Sequence, residues 1–176
     1  MRRILKTLAA GILSMAFFSS VAPAAPPNKA YVAREVRHEL LMLPYYNVFD
    51  NLAYRVDDDG TVTLLGQVTR PTLKDDAGRV VKKIDGVAQV RNEIEVLPLS
   101  PEDDRIRVAA FRAIYGETGL NRYAHQAVPP IHIIVRNGHI TLEGVVATQA
   151  DKSLAGIRAN SVPGAFAVVN NLRVEE

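Results

Sequence analysis

Apolar residues recur at two different periods along this chain. Ile131, Ile133 and Val135 alternate with His132, Ile134 and Arg136, and Ile140 and Leu142 continue the same face beyond Asn137-Gly138. Period-two alternation predicts half-buried strands. Asn-Gly between them predicts a tight hairpin, because both residues tolerate positive φ. Leu52, Tyr54 and Val56, followed by Val62 and Leu64, predict the same hairpin earlier, with a turn (Asp57 to Thr61) one residue longer. Elsewhere the period is helical. Ile106, Ala110, Ala113 and Ile114 predict a helix with Ser100 as N-cap, Pro101 at its first position and three acidic residues in its first turn, where the dipole favours them. Val32, Val36 and Leu40 predict its earlier counterpart. After Thr69-Arg70-Pro71, a stripe of Leu73, Ala77, Val81 and Ile84 predicts a further helix, with Gly86 as its C′ residue. Thr148 and Asp151 look like a cap for the helix of Ala155, Ala159 and Val162, which leads to Gly164. Val90, Ile94 and Val96 predict a closing strand, as do Val168, Leu172 and Val174.

The two halves repeat. Gly60, Gly66, Gly86 and Asn92 return as Gly138, Gly144, Gly164 and Asn170, each 78 residues later. The expected architecture is α+β: two tandem αββαβ modules, at about 29–97 and 100–176. Each is a three-stranded mixed sheet with both helices on one face, joined by a right-handed crossover. The other face carries His132, Arg136, His139, Thr141 and Glu143 and is expected to be wet. Gly60 and Gly138 are read as turn residues. Gly66 and Gly144 stand where an inward side chain is expected to meet a helix.

Charge and composition change the picture at the N-terminus. Arg2, Arg3 and Lys6 precede an apolar run from Leu8 to Phe18, and Ala22-Pro23-Ala24 places small residues at the −3 and −1 positions of a cleavage site. This is the layout of a secretory signal over residues 1–24, cleaved after Ala24. The run is shorter than the roughly 20 residues a membrane-spanning helix needs, so the mature chain is expected in the periplasm. Without the signal, 18 basic side chains face 19 acidic ones, which is no electrostatic footprint for nucleic acid. The chain has no cysteine, hence no disulfide or Cys-based metal site.

Candidate chemistry is sparse. His38, His125, His132 and His139 show neither HxxxH nor HExxH spacing. His132 and Glu143 are expected to face each other on the solvent side of the hairpin, as an ordinary cross-strand pair. Asp57-Asp58-Asp59 lacks the spaced ligands of a calcium loop. No catalytic residue, metal or cofactor is expected. A more distinctive feature is a second stripe on the helix after Ser100. Val108, Phe111 and Tyr115 stand where the first module has Arg34, Arg37 and Leu41, and Arg105, Arg107 and Arg112 flank them. An apolar stripe bordered by arginines suits an anionic lipid surface. It also suits packing between the modules, the favoured reading since the linker Leu97-Pro98-Leu99 is very short, or contact with another protein.

Gly-x-Val-Thr-Leu-x-Gly-x-Val at Gly60–Val68 and Gly-x-Ile-Thr-Leu-x-Gly-x-Val at Gly138–Val146 resemble the BON family, the bacterial osmotically inducible and nodulation domain. So does Gly-Val-x-x-Val-x-Asn-x-Ile-x-Val at Gly86–Val96, with a looser copy at Gly164–Val174 in which Ala165 replaces the usual valine. The resemblance implies a non-enzymatic envelope protein linked to osmotic stress and outer-membrane integrity, binding phospholipid surfaces. A protein-interaction or chaperone-like periplasmic factor is the alternative. On the lipid reading, Arg105, Val108, Phe111, Arg112 and Tyr115 are the contact residues.

Overall fold

Residues 28–175 are described by the structure, a computed structural model. The signal-like segment 1–24 lies outside them. The first half runs α1 (Lys29–Leu41), β1 (Asn51–Val56), β2 (Thr61–Val68), α2 (Pro71–Val81), β3 (Gln89–Asn92) and β4 (Glu95–Val96). The second runs α3 (Pro101–Tyr115), a short 3₁₀ turn (Asn121–His125), β5 (Ile131–Arg136), β6 (His139–Val146), α4 (Gln149–Asn160), β7 (Ala167–Asn170) and β8 (Arg173–Val174). The fold is α+β, in two tandem modules. β1 and β2 form an antiparallel hairpin, and β3 and β4 both lie parallel to β2 on its other side. They are two pieces of one interrupted strand. β5 to β8 repeat the arrangement around β6.

Local chemistry accounts for most element ends. Ser100 Oγ accepts from the Asp103 amide (3.2 Å) and Thr148 Oγ1 from the Asp151 amide (3.1 Å). Asn28 caps α1 in the same way. Gly86 is not the C′ residue of α2. That helix ends at Val81 with Lys82 as its cap, and Gly86 sits in the following turn at φ +90°. Val32, Val36 and Leu40 of α1 and Ile106, Ala110 and Ile114 of α3 are all buried against their sheets.

The repeated asparagines have one job. Asn92 Nδ2 donates to the Lys74 carbonyl of α2 (2.8 Å), and its Oδ1 accepts from the Ile94 amide (3.3 Å). Asn170 does the same with Lys152 and Leu172, at 2.7 and 3.2 Å. The side chain thus bridges the break in the third strand to the crossover helix, satisfying backbone groups that the ladder leaves free. It needs room: a Cβ on Gly78 or Gly156 would lie 2.8 Å from Asn92 or Asn170 Nδ2. Gly78 and Gly156 are therefore a further repeat pair.

Gly66 and Gly144 do make a close approach, but not to a helix. An added Cβ would lie 2.0 Å from the Asn51 carbonyl oxygen, or 1.9 Å from that of Pro130, at the start of the paired strand. The outer sheet face is also drier than its polar residues suggest. Thr61 and Thr63 of β2 and His132 and Ile134 of β5 are buried. For His132 the reason is the junction between modules, where Tyr46 stacks on its ring. Val48 and Phe49, in the loop between α1 and β1, belong to the core of module two, and the Val48 carbonyl accepts from the Ile133 amide at 2.8 Å.

Candidate functional site

The α3 stripe does not stay together. Arg105, Val108 and Arg112 are exposed, with Arg105 held by Glu102 at 3.0 Å. Phe111 is half-buried, its ring 5.0 Å from that of Tyr115 and 6.2 Å from that of Phe49 in module one. Tyr115 is only 5% exposed. Its hydroxyl donates to the Ile131 carbonyl (2.7 Å) and accepts from the Ile131 amide (3.2 Å), and burial pushes the phenol well above its ordinary range. Tyr115 is thus withdrawn from any external surface, and Phe111 faces the module junction. A phenol this long reaches from the last turn of α3 to the edge of β5.

Arg107, read only as a flanking charge, does similar work. It is buried, and Nη2 donates to the Val135 carbonyl at 2.7 Å. Tyr115, Val48 and Arg107 therefore occupy outward backbone groups of Ile131, Ile133 and Val135 in turn. Open strand edges invite pairing with other chains, and groups placed this way block it.

Module one has Ala33 and Leu41 at the positions of Arg107 and Tyr115. Leucine has no polar tip with which to bond the outward groups of β1, and Leu41 is 45% exposed. Met42 and Tyr45 follow it and are 70% and 69% exposed. The Arg70 guanidinium lies 5.0 Å from the centre of the Tyr45 ring, a cation–π arrangement. Arg37, one turn before Leu41, is exposed, as is His38. This apolar tip with a cationic border was legible as the run Leu40-Leu41-Met42-Leu43-Pro44-Tyr45-Tyr46, but periodicity assigned only Leu40 and passed over the rest.

Two buried polar side chains, Asp50 and His132, lie near the junction. Asp50 is fully buried and accepts from the Thr69 amide (2.7 Å), the Thr69 hydroxyl (2.9 Å) and the Asn47 amide (3.2 Å). His132 does pair with Glu143 in register, yet it is 9% exposed rather than on a solvent face. Its ring stacks on Tyr46 with centroids 5.6 Å apart, and the Tyr46 hydroxyl lies 3.4 Å from Nε2. Desolvation pushes the Tyr46 phenol up to about 12 and lowers the His132 pKa, although Asp50 pulls His132 the other way. Further along, Arg136 pairs with Glu95 across the modules at 2.6 Å. A cleft of about 330 Å³ opens there, lined in part by Gln67, Ile134, His139 and Thr141. Among the described residues, no group of three or more His, Cys, Asp or Glu side chains is placed to hold a metal ion. No described helix is long and apolar enough to cross a membrane.

Comparison with known proteins agrees with the repeat. The BON domain model matches residues 28–98 and 117–176. No curated protein matches the chain. Among solved structures, the chain is similar to two of CdsD, described as a structural protein of the type III secretion system of Chlamydia trachomatis. One match has 14% identity, covers 83% of this chain and 94% of that one, and has a TM-score of 0.32. The other, the C-terminal domain, has 12% identity, covers 85% and 100%, and has the same TM-score. Likenesses this loose bear on neither function nor module packing. The two matched segments fall one in each module and together span more than half of the sequence: the chain belongs to the BON domain family.

Proposed function

We propose that this protein is a non-enzymatic, peripheral binder of anionic phospholipid surfaces in the periplasm, exported through residues 1–24, where it supports envelope integrity under osmotic stress. The observation that carries this reading is the exposed tip of Leu41, Met42 and Tyr45, bordered by Arg37 and Arg70. Apolar side chains of this kind enter the headgroup region while arginines meet phosphates. The exposed part of the α3 stripe, Arg105, Val108 and Arg112, offers a second, smaller face.

Vesicle co-sedimentation of the mature protein tests this. Binding to phosphatidylglycerol vesicles should exceed binding to phosphatidylcholine and weaken with salt. Arg37→Glu and Arg70→Glu should each weaken it by about five-fold or more, since a basic residue near an anionic surface contributes about 1 kcal/mol. Replacing Leu41, Met42 and Tyr45 by serine should abolish it with little change in thermal stability, because these side chains are exposed. Loss of binding on Arg105→Glu with Arg112→Glu instead would move the site to α3. Unchanged binding in all of these folded variants would overturn the lipid reading.

Phe111→Asp separates packing from surface contact. It places a carboxylate between Phe49 and Tyr115. Thermal unfolding should show a loss of about 2 kcal/mol from burying an unpaired polar group. A variant of native stability would show that Phe111 is not part of the junction.

A further inference from the structure

We propose that His132 and Tyr46 form a pH-sensitive latch between the two modules, closed when the imidazole is neutral and released when it is protonated. The proposal needs no lipid and stands apart from the functional reading above.

Its geometry is a part-buried contact between two distant parts of the chain. Tyr46 belongs to the loop between α1 and β1, and His132 to β5 of module two. The rings stack 20° from parallel, with the tyrosine hydroxyl placed to donate to Nε2. His132 Nδ1 is buried without a hydrogen-bond partner among the described residues. A proton on Nε2 would turn the hydroxyl from donor to acceptor and leave a charge on a ring that is only 9% exposed. Burial opposes that charge and outweighs the groups that favour it, the Asp50 carboxylate and the backbone of Asp50 and Asn47. Asp50 faces it from the loop, but three donors already occupy its carboxylate. Glu143 faces it from β6, half-exposed and bonded to Asn171 Nδ2 at 2.7 Å. Arg136, further along β5, carries a like charge and is paired with Glu95. α3 brings Tyr115 and Arg107 to the same strand's edge, the latter also positive.

The sign follows from burial, the largest influence on this imidazole, which lowers its pKa below the ordinary 6.5. The unfolded or unlatched form then takes up the proton first. The closed junction is at full strength above pH 6.5 and weakens as pH falls below it. Next to this contact, the Val48 carbonyl satisfies the Ile133 amide and Phe49 meets Phe111. Release would free an apolar surface and one amide on the edge of β5, both suited to binding another chain.

An NMR titration of the mature protein from pH 8 to 5 tests this, with small-angle scattering at both ends. The His132 ring should titrate below 6.5, and the amides of Tyr46, Val48 and Ile133 should shift with the same midpoint, while the radius of gyration rises. His132→Phe keeps a stacking ring without a titrating group, so its junction amides and radius should stay constant. His139→Gln should behave like the wild type. Titration of His132 at or above 6.5 would overturn the latch, as would junction amides that do not follow the ring. So would a His132→Phe protein that opens like the wild type. Should that variant not fold, the wild-type titration decides by itself.

Discussion

Gly144→Ala will cost module two more than about 4 kcal/mol, a loss seen only when a substitution breaks a specific structural device. Gly144 sits at φ +118°, where an L side chain is already strained. Its added Cβ would lie 1.9 Å from the Pro130 carbonyl oxygen and 3.1 Å from the carbon of the same group. Both are backbone atoms, held by the pairing of Ile131 with Gly144, and neither can swing aside. The hairpin must either slip or part at its open end, and β5 carries Ile131, Ile133 and Val135 into the core. Gly66→Ala should act similarly in module one, against the Asn51 carbonyl at 2.0 Å. Gly119→Ala is the comparison, since its Cβ would meet only the end of the Leu154 side chain at 3.0 Å. Urea unfolding followed by circular dichroism measures all three. A loss below about 1 kcal/mol for Gly144→Ala would show that the strand start yields more easily than a paired backbone does.

Asp50→Ala will destabilise the protein by about 3 kcal/mol, the second largest effect expected. Removal of the carboxylate strands the Thr69 amide and hydroxyl and the Asn47 amide where the residue itself is fully buried. Each buried donor left without a partner costs about 1–3 kcal/mol. Asp50→Asn keeps one acceptor oxygen and should lose about half as much. The two changes also differ from a simple core truncation. Asp50 is a negative charge facing His132, so its loss should move the His132 titration further down. Thermal unfolding at pH 7.5 checks the first effect and the imidazole titration the second. Native stability in Asp50→Ala would mean that water replaces the carboxylate in this pocket.

The module architecture was legible because its causes are local and repeated. A strand with one buried face alternates, a helix with one buried face recurs every three to four residues, and Asn137-Gly138 can turn where few pairs can. Duplication then supplied an independent check, since six glycines with positive φ fall at matching places: Gly60, Gly66, Gly86 and Gly138, Gly144, Gly164. Even Asn92 and Asn170 stood out before their bridging role was visible.

Tertiary structure decided everything that depends on what lies across from a residue. His132 reads as a surface histidine by alternation, since its neighbours Ile131 and Ile133 face the core. It is buried because a loop more than 80 residues earlier covers the other face of its strand. Tyr115 and Phe111 share a stripe with Val108 on a helical wheel, yet reach and partner separate them: Tyr115 finds the β5 edge, Phe111 finds Phe49, and Val108 finds neither. Leu41, the counterpart of Tyr115, is exposed because its side chain carries no polar group to bond the β1 edge, and Met42 and Tyr45 follow it outside. Periodicity reports which face of an element is buried by its own module. Burial by a second module depends on how two finished surfaces meet, and no local pattern encodes that.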